Sequence, residues 1–220
     1  MPKSLDKLAT QEYLVRTRVA LENVLNNPVI TAALALFGFG AGRIGEGTVL
    51  LETAENLTQA QKVAYAGQHA STQALNQARA TADGRYTLHH RLALLTFQDD
   101  DQTQETLDIH RRKQNSFSKW LCQVGQFYHR VLVNPEIIEA LGRYNITQED
   151  LQAGLALVNQ VIQLDQEQED AKGQAQQATR DRDAALENLS QWMSEFREVA
   201  KIALAGTPEL YESLQLGTVR

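Results

Sequence analysis

The chain states one pattern twice, at a constant spacing of 107 positions, and this repetition limits its possible folds more than any motif in it. Val24-Leu25-Asn26-Asn27-Pro28 returns as Val131-Leu132-Val133-Asn134-Pro135, and from there the register holds without a gap. Ile30 aligns with Ile137, Ala33-Leu34 with Ala140-Leu141, Phe37 with Tyr144, Gly47 with Gly154, Leu50 with Leu157 and Leu107 with Leu214. A recurrence of this length marks one supersecondary unit used twice. Each copy, residues 1–107 and 108–220, is small enough that its apolar face needs the other copy to cover it. The expectation is a single pseudo-symmetric domain spanning 1–220.

Periodicity predicts an all-α fold. Steps of alternating four and three residues run through Leu50, Ala54, Leu57, Gln61, Ala64, Gln68, Ser71, Leu75, Ala78, Ala82, Arg85, His89 and Leu92. The second copy gives Leu157, Val161, Leu164, Gln168, Ala171, Ala175, Ala178, Arg182, Ala185, Leu189, Trp192, Phe196, Val199 and Ala203. A seam sustained this long is the mark of a long supercoiled helix. Neither stretch contains proline, so each copy should hold one helix of about 50 residues, about 75 Å long at ~1.5 Å per residue. Gly67, Gly84 and Gly173 are its weak points, and Asp83-Gly84 could break the first helix.

Ahead of each long helix the sequence predicts a first helix (Gln11 to Asn26, then Phe117 to Val133), an Asn-Pro junction and a short helix after Pro28 or Pro135. Leu107 and Ile109 suggest a short docking helix between the copies, matching Pro208 to Leu216. With the two long helices antiparallel, the bulky end of each meets that of the other, and the first helices complete a bundle at each end. The centre, rich in alanine and glutamine, becomes a two-helix stretch.

Charge excludes some partners. The chain has 21 basic and 27 acidic residues with no basic half, so no nucleic-acid module is expected. The one cysteine, Cys122, forms no disulfide framework and suits a reducing, cytoplasmic setting; it reads as a small buried helical residue. Met1 to Lys7 lacks the apolar core of a secretory signal. The longest apolar run, Val29 to Gly42, falls short of the ~20 residues needed to span a bilayer.

Several segments invite a chemical reading. Gly40-Ala41-Gly42-Arg43-Ile44-Gly45 matches the glycine pattern of dinucleotide sites, but no strand precedes it and the second copy lacks it, which favours a helix-to-helix turn. The segment Val29 to Phe39 is the less polar version of a stretch that carries Glu136, Glu139 and Arg143 in the second copy. The segment reads as a buried short helix capping the bundle, with Val29, Leu36, Phe37 and Phe39 as the candidates for docking to a partner or a membrane. His89 falls on the seam near Arg85 and reads as a hydrogen-bonded interface histidine; with His90 it is also the candidate for a small-molecule or metal contact. No Glu-x-x-His pair recurs on two helices as a di-metal bundle would require, and no nucleophile sits with a base, so neither cofactor, metal nor enzymatic activity is expected. Arg111, Arg112 and Lys113, near His110 and Lys119, could touch phosphate but read as a solvated linker facing Asp99 to Asp101.

The Asn-Pro-x-Ile junctions, together with Phe196-Arg197-Glu198-Val199-Ala200-Lys201-Ile202-Ala203-Leu204 and Pro208-Glu209-Leu210-Tyr211-Glu212-Ser213-Leu214, resemble a group of uncharacterised bacterial all-helical proteins that carry this closing segment. The resemblance implies a helical fold and no activity, cofactor or site. The expected function is a non-enzymatic helical scaffold or protein-interaction module, dimeric or bound to another protein. Two alternatives accompany it: a membrane-active bundle using Val29 to Phe39, and a ligand- or metal-binding bundle at His89 and His90.

Overall fold

In the computed structural model, which describes residues 7–110 and 112–216, Asn27 and Asn134 start a helix in the same way. Their backbones sit at φ −119°, ψ 100° and φ −120°, ψ 100°, and each side-chain oxygen accepts from the two N–H groups that follow the proline. Proline at the first helical position needs no such partner, so the cap and the ring together leave few orphan donors. The N-terminal stretch Met1 to Asp6 and Arg111 of the basic linker lie outside the described residues.

The described chain is all-α, with no strand. In order come α1 (Lys7–Asn26), α2 (Pro28–Ala35), α3 (Ala41–Thr96), α4 (Asp101–Leu107), α5 (Phe117–Leu132), α6 (Pro135–Leu141), a 3-10 turn (Gly142–Tyr144), α7 (Gln148–Ala203) and α8 (Pro208–Ser213). Both α3 and α7 have 56 residues, and they start and stop 107 positions apart. The helix α3 runs through Gly67 and Asp83-Gly84 without a break, and α7 runs through Gly173. At ~1.5 Å per residue each is about 84 Å long.

Turns repeat at the same spacing. Positive φ occurs at Gly38 (84°) and Asn145 (62°), and at Asp108 (55°) and Gln215 (52°), which are two pairs 107 positions apart. Around Gly38, the Phe39 N–H donates to the Leu34 carbonyl at 3.1 Å and the Gly38 N–H to that of Ala35 at 3.2 Å. Ile109 and Asp108 donate in the same way to Gln104 and Glu105. These are left-handed helix stops, which satisfy the last carbonyls and turn the next residue inward. The inward residues are apolar and buried: Phe39, Ile146, Ile109 and Leu216. The short docking helix thus ends at Leu107, and Ile109 packs just beyond its stop.

Packing divides the chain into two compact units. One comprises the chain up to Tyr65 together with the chain from Gln174 onward; the other is Ala66–Gly173. Within the first, Arg43, Gly47 and Gln61 of α3 meet Glu195, Trp192 and Thr179 of α7, so the helices run antiparallel there. Its core joins Leu14, Leu21 and Val24 of α1, Ile30 and Leu34 of α2, and Leu51 of α3 to Leu189, Trp192 and Phe196 of α7, with Leu214 beyond α8. The Trp192 and Phe196 rings stack at 5.3 Å, and Phe39 meets Trp192 edge-on at 5.7 Å. In the second unit, Tyr86 of α3, Leu107 of α4, and Trp120, Phe127 and Tyr128 of α5 pack with Ile137 and Leu141 of α6 and Leu151 and Val158 of α7.

The heptad seam holds along both helices, where every position is buried or half-buried except Arg85. Toward its ends each helix also buries a second row. Leu51 and Thr58 accompany the seam in the first unit, Tyr86 and Ala93 in the second, because α1 or α5 lies against them there. Polar residues on and beside the seam find partners nearby: the buried Thr58 hydroxyl of the second row donates to the Ala54 carbonyl at 2.7 Å, and Gln61 of the seam donates to Thr179.

Candidate functional site

From Asn23 to Gly42 the sequence contains no charged residue, and this stretch forms the corner where α1, α2 and the start of α3 meet. A helix as apolar as α2 would bury most of its surface if partners were available. Only Ile30 and Leu34 are buried; Leu25, Val29, Leu36 and Phe37 are exposed, Leu36 at 84%. Pro28, Ala32 and Ala35 are exposed beside them. Three sequence candidates, Val29, Leu36 and Phe37, thus share one solvent-facing corner. The fourth, Phe39, does not: the stop at Gly38 turns it into the core, where it is 3% exposed against Trp192.

At the matching corner of the second unit, Val133 and Tyr144 are exposed, but Glu136, Glu139 and Arg143 are exposed alongside them. Charged groups interrupt that apolar surface, so the uncharged corner belongs to the first unit alone.

The histidine candidates sit in the second unit. His89 is 2% exposed, and its Nδ1 lies 3.2 Å from the Tyr128 hydroxyl. Burial, reinforced by the nearby Arg85 guanidinium, holds its imidazole below the usual histidine range, with Asp150 opposing. The same burial pushes the Tyr128 phenol up. His89 is a core residue hydrogen-bonded between α3 and α5, the interface histidine that its seam position suggests, and its ring is closed to solvent. The His90 ring packs tilted on Tyr86 at 5.3 Å; its Nε2 is buried without a hydrogen bond, and burial lowers its pKa as well. Among the described residues, no group of three His, Cys, Asp or Glu side chains could hold a metal ion.

One cluster escaped the sequence reading. The Arg79 guanidinium lies over the Phe117 ring at 5.4 Å and the Trp120 ring at 5.2 Å, and it donates to the Asn115 carbonyl at 3.1 Å. Asp83, one turn along α3, accepts from the Trp120 indole at 2.8 Å and from Lys113 at 2.8 Å. A cleft of about 260 Å³ opens beside them, lined also by Asn76 and Gln114. The signal was available in the repeat: Arg79 and Asp83 stand where the second copy has Leu186 and Ser190. Together these contacts tie Lys113 and Asn115 of the linker to α3.

Two further readings change. Cys122 is exposed, not buried. The Gly40 to Gly45 segment is the first turn of α3, where Ile44 N–H donates to the Gly40 carbonyl at 3.0 Å, and no strand adjoins it. No described helix is long and apolar enough to cross a membrane. No protein-family model, curated protein or solved structure matches the chain.

Proposed function

We propose that the protein is a non-enzymatic helical interaction module that docks through the corner formed by Leu25, Val29, Leu36 and Phe37, with a second copy of the chain as its partner. The single observation behind this reading is that corner: large apolar side chains held in solvent by a capped helix and a left-handed stop, with no charge from Asn23 to Gly42. Apolar surface of this kind gains about 25 cal/mol per Å² when covered. An uncharged surface is best matched by another uncharged one, and the corner itself supplies that. The single exposed thiol of Cys122 suits a reducing cytoplasmic setting.

Size-exclusion chromatography with light scattering tests this. The wild type should show a concentration-dependent dimer, and Leu36→Glu with Phe37→Glu should run as a monomer with unchanged helical circular dichroism. A wild type that stays monomeric at high concentration removes the reading.

A second reading rests on the same lack of charge: the corner inserts shallowly into a lipid surface. Co-sedimentation with phosphatidylcholine–phosphatidylglycerol vesicles separates the two, because it asks for binding by the wild type that Leu36→Glu loses. Equal, negligible binding by both leaves the protein–protein reading alone.

A further inference from the structure

Neither compact unit is made from one repeat. The core of the first unit takes Leu14, Val24 and Ile44 from the first repeat and Leu189, Trp192 and Phe196 from the second. The core of the second takes Ala82, Tyr86 and Leu107 from the first repeat and Trp120, Phe127 and Leu151 from the second. Each repeat therefore leaves an apolar face at both of its ends that only the other repeat covers.

The repeats are joined covalently through the segment 110–116, which lies within the second unit. Arg112 to Asn115 have no helix, and most of them are exposed. Carried across by 107 positions, the last residues of this segment fall on Lys7 to Ala9, the start of α1 in the first unit. There, no peptide bond ties the end of one repeat to the beginning of the other. The first unit holds its two chain segments together by packing and by contacts such as the Asn23 amide donating to the Ser213 carbonyl at 2.7 Å. What one unit does without a covalent link, the other can do as well.

We propose that the link at 110–116 is dispensable, and that each repeat is a complete partner chain for the other: the partner that these core faces fit is a helical chain of one repeat's length. Severed there, the protein remains assembled as a non-covalent pair. The contacts that the linker makes with α3 and α5, Lys113 to Asp83, Arg79 to the Asn115 carbonyl and the Gln114 N–H to Gln123, lie beside a core built without them. Interfaces formed by two halves of a single core are the obligate kind, large and apolar.

The test inserts a site-specific protease sequence between Asn115 and Ser116 of the full chain, which is then cut in the folded state. It is done in the Leu36→Glu background, so that association through the α2 corner cannot hold the pieces together. The cut protein should elute as one species containing both fragments, with unchanged helical circular dichroism. Its thermal midpoint should rise with protein concentration while that of the uncut protein does not, because folding has become bimolecular. Fragments that elute separately, or helicity lost on cutting at ~10 μM, overturn the proposal. Should the insertion itself prevent folding, limited trypsin digestion of the chain without the insertion, in the same background, gives the same reading. Trypsin's targets Arg112 and Lys113 lie exposed in this segment. A first cut inside α3 or α7 counts against the proposal, as does separation of the two products.

Discussion

The indole of Trp192 lies flat against the bare backbone of Gly47, so close that a Cβ at Gly47 would sit within 3.0 Å of three of its ring carbons. Gly154, the matched glycine of the second repeat, is pressed in the same way by the Tyr128 ring. The two rings do not occupy matched positions. Trp192 corresponds to Arg85, which is exposed and pairs with Asp150, and Tyr128 corresponds to Leu21, which is buried. The same slot over a glycine is thus filled from the long helix α7 in one unit and from the first helix α5 in the other.

Alanine is the better helix former, so Gly47→Ala and Gly154→Ala would stabilise an open helix by about 1 kcal/mol. Here the added methyl must displace a packed ring, and overpacking of this kind costs about 1–3 kcal/mol or more. Both variants should lose stability on balance, read as a lower midpoint in urea or heat. A rise in either midpoint would show that the rings can move aside at little cost.

Gly67 and Gly173 provide the opposite case. A Cβ at either meets nothing within 4 Å, and both are exposed in mid-helix. Gly67→Ala and Gly173→Ala should each raise stability by about 0.5–1 kcal/mol. The contrast in sign with Gly47 and Gly154 is visible in one set of thermal melts.

Asn27→Ala and Asn134→Ala each remove a side-chain acceptor from two helix N–H groups, and about 1 kcal/mol of stability should go with each. The two sites lie in different units, so the double variant should lose the sum of the single losses. Denaturant titration of the three variants decides this; a loss below about 0.3 kcal/mol for either would mean that water caps these helices equally well.

Acid should weaken the second unit. His89 and His90 are held neutral by burial, with folded pKa values below the ordinary 6.5. As pH falls through that value, the unfolded chain takes up protons that the folded chain refuses, so stability is full above it and declines below. Arg85 and Lys113 add to the effect at His89 and His90 respectively, while Asp150 opposes it at His89 and a backbone bond at Ile109 opposes it at His90. The lowered carboxyls, Asp100, Glu149 and Asp150, act only nearer their ordinary values of 3.8 to 4.5 and leave this window to the histidines. Urea midpoints at about pH 7.5 and 5.5 should differ in the wild type and differ less in His89→Gln. An identical difference in both proteins would remove His89 as a contributor.

The helices and their ends were legible because local rules set them. The Asn-Pro junctions, the 107-residue spacing and the heptad seam depend on backbone chemistry and periodicity, and each appears where the residues place it. Exposure at the corner was legible only in part. Leu36 and Phe39 look alike in sequence, but the left-handed stop at Gly38 sends them in opposite directions, one to solvent and one to the core. That His89 lies at an interface was legible from its place on the seam, but its partner was not, because Tyr128 is 39 positions away on another helix. The Arg79, Asp83, Lys113 and Trp120 cluster was missed for the same reason, since its members meet only after α5 and the linker fold onto α3.

Trp192 lies in the core of the first unit and Trp120 in that of the second, and the chain has no third tryptophan. Each unit thus carries one fluorophore of its own, and the donor-to-carboxylate bond from Trp120 to Asp83 gives that indole a polar neighbour. Trp120→Phe and Trp192→Phe turn the emission of the molecule into two separate clocks. With them, the loss of each core can be followed through its own tryptophan.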